Sequence, residues 1–405
     1  MNLRQFIVQQ LLTIKTSILK IMINDYFKSV FNSDPAVVAQ APGRLEFIGN
    51  HVDYNNGIVM GVAIDNRIFV AVSPREDDEI HMASEGLHCK DSIKLNELKL
   101  QDGKKKFMNY PLGVLDALIK RGMKVTHGFN MADTSTVPSG AGVSSSAAIE
   151  LATAYALCKL YDFPLNKLET VLVGKEAENK FVGMPCGILD QGVSGFGEQN
   201  AIVRIDCKTN EFSTLPLPAG TYFWVFNSGV KHALVAGDYA QRHSACMTAK
   251  DILGKYDAKC TCLADASASA VMANRSRMEA AGTKIYERAL HVVGENARVL
   301  EMQEALKKGD LTAVGNLMYA SHCSSRDLFE NSCPEIDFLV DQLMSQANVY
   351  GARLSGGGFG GIAIALTSGD FSEAQANAVA DAFAAKFGKK PTFFKTTTGK
   401  GAGVV

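Results

Sequence analysis

The sequence predicts a mixed fold of class α/β (α+β) in two domains, on three observations. Strand-like and helix-like patterns alternate along the chain instead of separating into all-helix or all-strand blocks. At 405 residues the chain exceeds what one ordinary core accommodates. The stretch "KTNEFSTLPLPAG", residues 208–220, gathers prolines and turn formers just before the strand-like "TYFWVF". The predicted units are an extra helix over 1–22, a first domain over 23–215 and a second over 216–405, leaving room for a cleft between the domains. No repeat of solenoid period and no low-complexity segment is visible.

Taken in order, the N-terminal "MNLRQFIVQQLLTIKTSILKIMINDYF" reads as an amphipathic helix docked on the body of the protein. Arg4, Gln9, Gln10, Lys15 and Lys20 cut its apolar runs short of a signal-peptide core or a membrane span. A strand over 36–41 is expected to stop at Pro42-Gly43, and a polar turn follows over 52–57. The runs "IVMGVAI" and "IFVAV" read as two buried strands. Residues 125–133 alternate like a strand, 138–142 are an open turn, and a helix begins at Ser144 with Ala147, Ala148, Leu151, Ala152 and Tyr155 on its apolar face. A helix over 166–180 and the glycine-rich loop "GMPCGILDQGVSGFG" come next. Past the junction, helices are expected over 236–256, 274–308, 310–321 and 333–348, then a glycine run, a strand, a helix over 371–387 and a closing strand.

With 41 Lys and Arg against 42 Asp and Glu, mixed in sign, the chain has no electrostatic footprint for nucleic acid or an anionic membrane. A small molecule is the expected partner, and a monomer the expected state. Nine cysteines without framework spacing, Cys260-x-Cys262 being the sole close pair, fit reduced thiols in the cytoplasm.

The chemistry gathers at "VPSGAGVSSSAAIE". Strand, bare turn and helix N-terminus in succession bring free N–H groups and the positive end of a helix dipole together, a site for phosphate oxygens. The residues concerned are Gly140, Ala141, Gly142, Val143, Ser144, Ser145 and Ser146; the serines alternatively serve only as helix caps. No G-x-x-x-x-G-K-[ST] occurs, so no P-loop lysine is present. "GGGFGG", residues 356–361, satisfies G-x-G-x-x-G but precedes a strand, so the dinucleotide reading fails; what remains is backbone able to approach another surface closely. Glu178 lies at i+7 from Val171 on an apolar stripe, which makes it a metal-ligand candidate, while Glu176 points the other way. Asp190, in an apolar glycine-rich loop, is either a cap or a catalytic acid. Arg44 by itself reads as an ordinary ion-pair partner.

These residues carry a resemblance. "PGRLEFIGNHVDYNNG" (42–57), "PSGAGVSSSAA" (138–148) and "ARLSGGGFGG" (352–361) are similar, in order, to the three motifs of the GHMP superfamily of small-molecule kinases and, within it, of the galactokinases. "AENKFVGMPCGILDQ", "NSGVKHALVAGDYAQRH" and "SHCSSRDLFENSCPEID" match as connecting segments, and the likeness runs from about residue 22 to the end. It implies a GHMP kinase fold: an N-terminal domain like ribosomal protein S5, a ferredoxin-like C-terminal domain, and ATP and sugar between them. It implies Asp190 as the catalytic aspartate with Arg44 beside it, Ser146 and Glu178 as magnesium ligands, and Arg44, Asn50, His51, Asp53, Gly187, Asp190 and Tyr239 at the sugar. Phe107 falls where relatives place an aromatic near adenine, or is a core phenylalanine. The implied reaction is ATP-dependent phosphorylation of the C1 hydroxyl of galactose, with Asp190 taking the proton across a gap from the serine loop.

One departure bears on specificity. The usual signature reads G-R-x-N-x-I-G-E-H-x-D-Y, whereas here Glu46 and Asn50 have exchanged the acid and the amide. A neutral amide makes a weaker hydrogen bond than a carboxylate, by on the order of 1 kcal/mol. Glu46 is expected to compensate from an adjacent turn. The alternatives kept open are a kinase for a related sugar such as an N-acetylhexosamine, and a catalytically silent sugar-binding regulator on the same fold.

Overall fold

Strand β1, Val37–Ile48, does not stop at Pro42-Gly43 as the sequence suggests. In this computed structural model, which describes residues 19–405 except Ser139, Ala141, Pro185 and 232–234, the strand runs on through a bulge there. Proline has no N–H for the ladder, and the next one, on Arg44, leaves the sheet to bond the carbonyl of Val143 at 2.9 Å. A side chain on Gly43 would meet that same carbonyl at 2.8 Å, so glycine lets the serine loop approach. The two expected strands that follow are one, β2 (Ile58–Pro74). Its polar middle continues because Asn66 donates to Thr136 O at 2.8 Å and Asp65 accepts the Thr396 hydroxyl at 2.8 Å.

The first sheet is completed by β3 (Glu79–Ser84), β4 (Cys89–Lys94), β5 (Phe129–Ser135), β6 (Ala201–Asp206) and β7 (Glu211–Pro216). The second holds β8 (Thr221–Lys231), β9 (Val349–Ser355), β10 (Gly360–Ser368) and β11 (Thr392–Thr396) in the antiparallel order β11-β8-β10-β9. Short β12 (Gly403–Val404) returns to pair with β1, so the chain ends on the first sheet. The helix expected over 274–308 breaks at Gly282 into Arg275–Ala281 and Ile285–Lys308, because Gly282 and Lys284 both have positive φ.

Residues 1–18 of the expected N-terminal helix lie outside the described residues; 19–31 are helical and bury Ile23 and Phe27 against Phe69 and Ala132. On the second sheet, Trp224, Phe226, Ala363 and Ala365 face helices Pro334–Met344 and Glu373–Phe387. The other face, with Phe223, Val225, Ile362 and Ile364, joins the same apolar cluster as Phe47 and Val62 of the first sheet. Phe47 and Phe223 meet edge to face, centroids 6.0 Å apart. The site lies along this seam.

Candidate active site

Helix Ser145–Leu160 opens on the serine loop, and its N-cap residue Ser144 is left-handed (φ 54) with no side-chain capping bond. The capping role left as the alternative for this serine is therefore not filled; its hydroxyl donates to Asp190 Oδ2 instead. The first-turn N–H groups, without intrahelical partners, remain for a ligand. Gly140 and Gly142 take φ of +67 and +70, which a side chain disfavours. Asn227 of β8 donates to Gly140 O at 2.7 Å, so the second sheet braces the loop. Gly140, Gly142, Ser144, Ser145 and Ser146 line a cavity of about 890 Å³, as do Phe107, Tyr110 and Leu87. Val143 does not: its side chain is in the core and its carbonyl is taken by Arg44. Ala141 lies outside the described residues.

Asp190 sits in the first turn of helix Leu189–Phe196, not in a loop. Arg44, 6% exposed, grips it with both arms, Nε to Oδ1 and Nη2 to Oδ2 at 2.7 Å each. The Arg44 Nη1 donates to Gly142 O at 3.2 Å. Burial works against the guanidinium charge, but the Asp190 carboxylate outweighs it and holds the Arg44 pKa above its ordinary value. Asp190 is thus in contact with the serine loop, with no gap between them.

Glu178 follows helix Lys167–Glu176 in a π-helical turn, Ala177–Val182. The wider turn, a frequent mark of functional sites, carries it inward, while Glu176 pairs with Arg121 at 2.6 Å and Lys180 at 2.9 Å outside. Burial, then the nearby Asp190 charge, raises the Glu178 pKa, opposed by the Gln191 amide and the Ser146 hydroxyl. Gln191 Nε2 also donates to Glu150, whose carboxyl is raised well above its ordinary value, chiefly by burial. The Glu178 carboxyl and the Ser146 hydroxyl bonded to it are hard oxygen donors that would suit a magnesium ion. Among the described residues no group of three or more His, Cys, Asp or Glu could form an all-protein cage.

A second, polar cavity of about 120 Å³ adjoins. Arg44, Asn50, His51, Asp53, Gly187, Asp190 and Tyr239, all expected at the sugar, line it. Burial depresses the His51 pKa to about 3, so the ring is neutral. Its Nε2 lies 3.0 Å from the carbonyl of Gly357, which can only accept, so Nε2 carries the proton and Nδ1 accepts from the Tyr54 hydroxyl. Tyr239, on helix Val235–Gly254, leans on the His51 ring at 5.3 Å. A Cβ on Gly187 would fall 1.5 Å from Asp53 Oδ2, so glycine makes the berth for that carboxylate.

The exchanged pair is in direct contact. Asn50 Nδ2 donates to Glu46 Oε1 at 2.8 Å and to Gly356 O at 2.9 Å, while its Oδ1 accepts from Ser325 and Asn331. All four positions of the amide are filled by protein. Glu46 lies on β1 and not in a turn; Arg353 binds the same Oε1 at 2.9 Å, and burial lifts its pKa in spite of that cation. Glu46 itself lines the cavity.

Several contributors escaped sequence reasoning. Glu295, fully buried, accepts from the N–H groups of Gly49 and Asn50 at 3.0 and 3.2 Å, and His291 Nε2 lies 3.0 Å from Asn50 O. Burial opposes the Glu295 charge, yet Arg298 and its other partners bring the pKa down to about 2. Its place among Val292 and Val299 on one helix is the signal that singled out Glu178 and could have found it. Gly356 and Gly357, from the rejected dinucleotide motif, line the smaller cavity and give their carbonyls to Asn50 and His51, a close approach of the kind the glycine run suggested.

Comparison with known proteins agrees. Residues 25–74 match the family model for the galactokinase galactose-binding signature, 109–198 that for the GHMP kinases N terminal domain, and 302–390 that for GHMP kinases C terminal. The galactokinase of Chloroflexus aurantiacus is 36% identical over 94% of this chain and 96% of its own. That of Haemophilus influenzae (strain PittGG) is 37% identical over 92% and 95%. The crystal structure of Lactococcus lactis galactokinase complexed with galactose superimposes with a TM-score of 0.88 at 30% identity, covering 95% of this chain and 99% of that one. Methanococcus jannaschii mevalonate kinase, at 20% identity and a TM-score of 0.60 over 90% and 98%, shares the fold. Neither alternative reading finds support in these matches. Among the described residues no helix is long and apolar enough to cross a membrane. With the expected GHMP kinase fold in place and relatives aligned over nearly their whole length, the chain belongs to the galactokinase family.

Proposed function

We propose that the two cavities are the galactose and ATP sites of an ATP-dependent galactokinase, and that phosphoryl transfer occurs where they meet. The observation that carries this is the contact of Ser144, which lines the larger cavity, with Asp190, which lines the smaller and is held by Arg44. Phosphoryl transfer is mostly positioning and charge stabilisation. In this reading Asp190 orients the C1 hydroxyl of the sugar and accepts its proton. Arg44 fixes the carboxylate bidentately and offsets charge on the transferring group. The N–H groups at the start of helix Ser145–Leu160 take the place of a P-loop lysine. Glu178 and Ser146 would hold magnesium, which when bound neutralises phosphate charge. Phe107 lies against the base. His51, fixed as a neutral donor and acceptor, and Asp53, seated by Gly187, bind sugar hydroxyls, with Tyr239 as a wall. The division into domains at 215/216, the cytoplasmic location and the monomeric state belong to the same proposal; nine free thiols support the location.

With galactose, ATP and magnesium, ADP release is expected to match formation of galactose 1-phosphate one to one, read by a coupled assay and by phosphorus NMR. ADP release no greater than in a sugar-free control would reject the assignment. The exchanged pair gives a sharper test. Asn50 is saturated by protein groups, whereas Glu46 has Oε2 left for the ligand, so Glu46 takes over the charged contact with the sugar. Glu46→Gln is expected to raise the galactose KM about tenfold, the scale of one charge-assisted hydrogen bond, with the ATP KM unmoved. An unchanged galactose KM defeats this role.

A further inference from the structure

The larger cavity contains an ionisable group that phosphoryl transfer does not use. Its lining includes Ile68, Met82, Leu87, Phe107 and Met131, apolar residues suited to a flat ring. Asp133 stands among them. It follows Met131 by two positions on β5, so both project from the same face. Ala132, between them, packs on the other side against Ile23 and Phe27.

The surroundings of Asp133 are incomplete. Its Oδ1 accepts the hydroxyl of Ser84, another cavity residue, at 3.0 Å. Among the described residues no cation accounts for its charge: Ser84 is its side-chain partner, and Lys106, which also lines the cavity, is not among the groups acting on it. Oδ2 is left to the cavity. Burial raises the Asp133 pKa to about 7, with Ser84 pulling it down and the neighbouring Glu85 adding to the rise. A half-buried carboxylate oxygen without a protein donor, set in a wall of apolar residues, suits a ligand that brings a donor.

We propose that Asp133 reads the base of the nucleotide, its Oδ2 accepting a hydrogen bond from the 6-amino group of adenine. Because Ser84 occupies the other oxygen, the carboxyl offers one acceptor to the ring edge, and adenine offers one exocyclic amine. Guanine sets a carbonyl oxygen at that position, which meets the ionised carboxylate lone pair against lone pair. Purine riboside triphosphate has the same ring with no amine. The apolar walls hold any purine; Asp133 supplies the choice among them. This inference rests on the proposal that ATP occupies the larger cavity.

The test measures kcat/KM for ATP, GTP and purine riboside triphosphate with galactose saturating. Wild type is expected to favour ATP over purine riboside triphosphate by about tenfold or more. Asp133→Leu, which removes a desolvated carboxyl and keeps the fold, is expected to lower the value for ATP about tenfold and bring that ratio near one. A wild-type ratio near one overturns the inference, as does an Asp133→Leu variant that keeps the wild-type ratio. Ser135→Trp separates the two levels: Ser135 lines the cavity but is exposed at its rim. Its substitution is expected to raise the KM for all three nucleotides alike. Unchanged values there would show that the base lies elsewhere, removing the cavity assignment and Asp133 together.

Discussion

Replacing Asp190 by Asn is expected to lower kcat for galactose phosphorylation by about 10²–10⁴-fold while leaving the ATP KM within about twofold, the range ascribed to loss of one positioned base. The amide keeps the shape of the carboxylate and can still accept one bond from Arg44, but it cannot take a proton from the sugar hydroxyl. ATP binding is spared because Asp190 faces the smaller cavity and not the one lined by Ser145 and Phe107. The isostere is preferable to alanine, since deleting one partner of a buried ion pair costs about 3–5 kcal/mol. Arg44 is buried on this pair, with Gly142 O as its other acceptor. A thermal melt run beside the kinetics identifies any variant that is merely unfolded. A folded Asp190→Asn with near-normal kcat would remove the residue from the chemistry.

The second large effect is expected from one methyl group. Gly187→Ala puts a Cβ 1.5 Å from Asp53 Oδ2 and 2.1 Å from Asp53 Cγ, distances no rotamer change of a methyl can relieve. The carboxylate must leave, giving up the bond from the Tyr54 N–H at 2.9 Å and with it the contact proposed for the sugar. Gly187 does not have positive φ, so backbone strain does not confuse the result. Loss of one or two charge-assisted hydrogen bonds corresponds to a galactose KM raised about 100-fold, with the ATP KM little changed. Titration calorimetry with galactose should show the same loss. An alanine variant that binds galactose normally would mean that Asp53 is not a sugar ligand.

What the sequence could and could not show divides along separation in the chain. Helix Ser145–Leu160, its bare loop and the inward aim of Glu178 follow from local periodicity and composition, so they could be read directly. Glu178 is nonetheless carried inward by a π turn that no 3.6-residue wheel contains. Pro42-Gly43 looked like a stop because proline ends ladders; it is a bulge because the serine loop, about a hundred residues on, accepts the next N–H. Asp190 looked like a loop residue since its glycines mask a two-turn helix. The pairings of Glu46 with Arg353 and of Glu295 with the 49–50 backbone span 307 and 246 positions, which no local pattern reaches. Asp133 carried no signal at all: a lone acid in an alternating strand normally faces water, and only the three-dimensional structure shows that this one lines the larger cavity.

The edge-to-face meeting of Phe47 and Phe223 constrains how substrates come and go. Because the two sheets press one continuous oily layer between them, they cannot swing apart like jaws without wetting it, at about 2.5 kcal/mol for every 100 Å² uncovered. Side chains and short loops at the rim can shift without that cost, so the seam favours local motion over separation of the sheets.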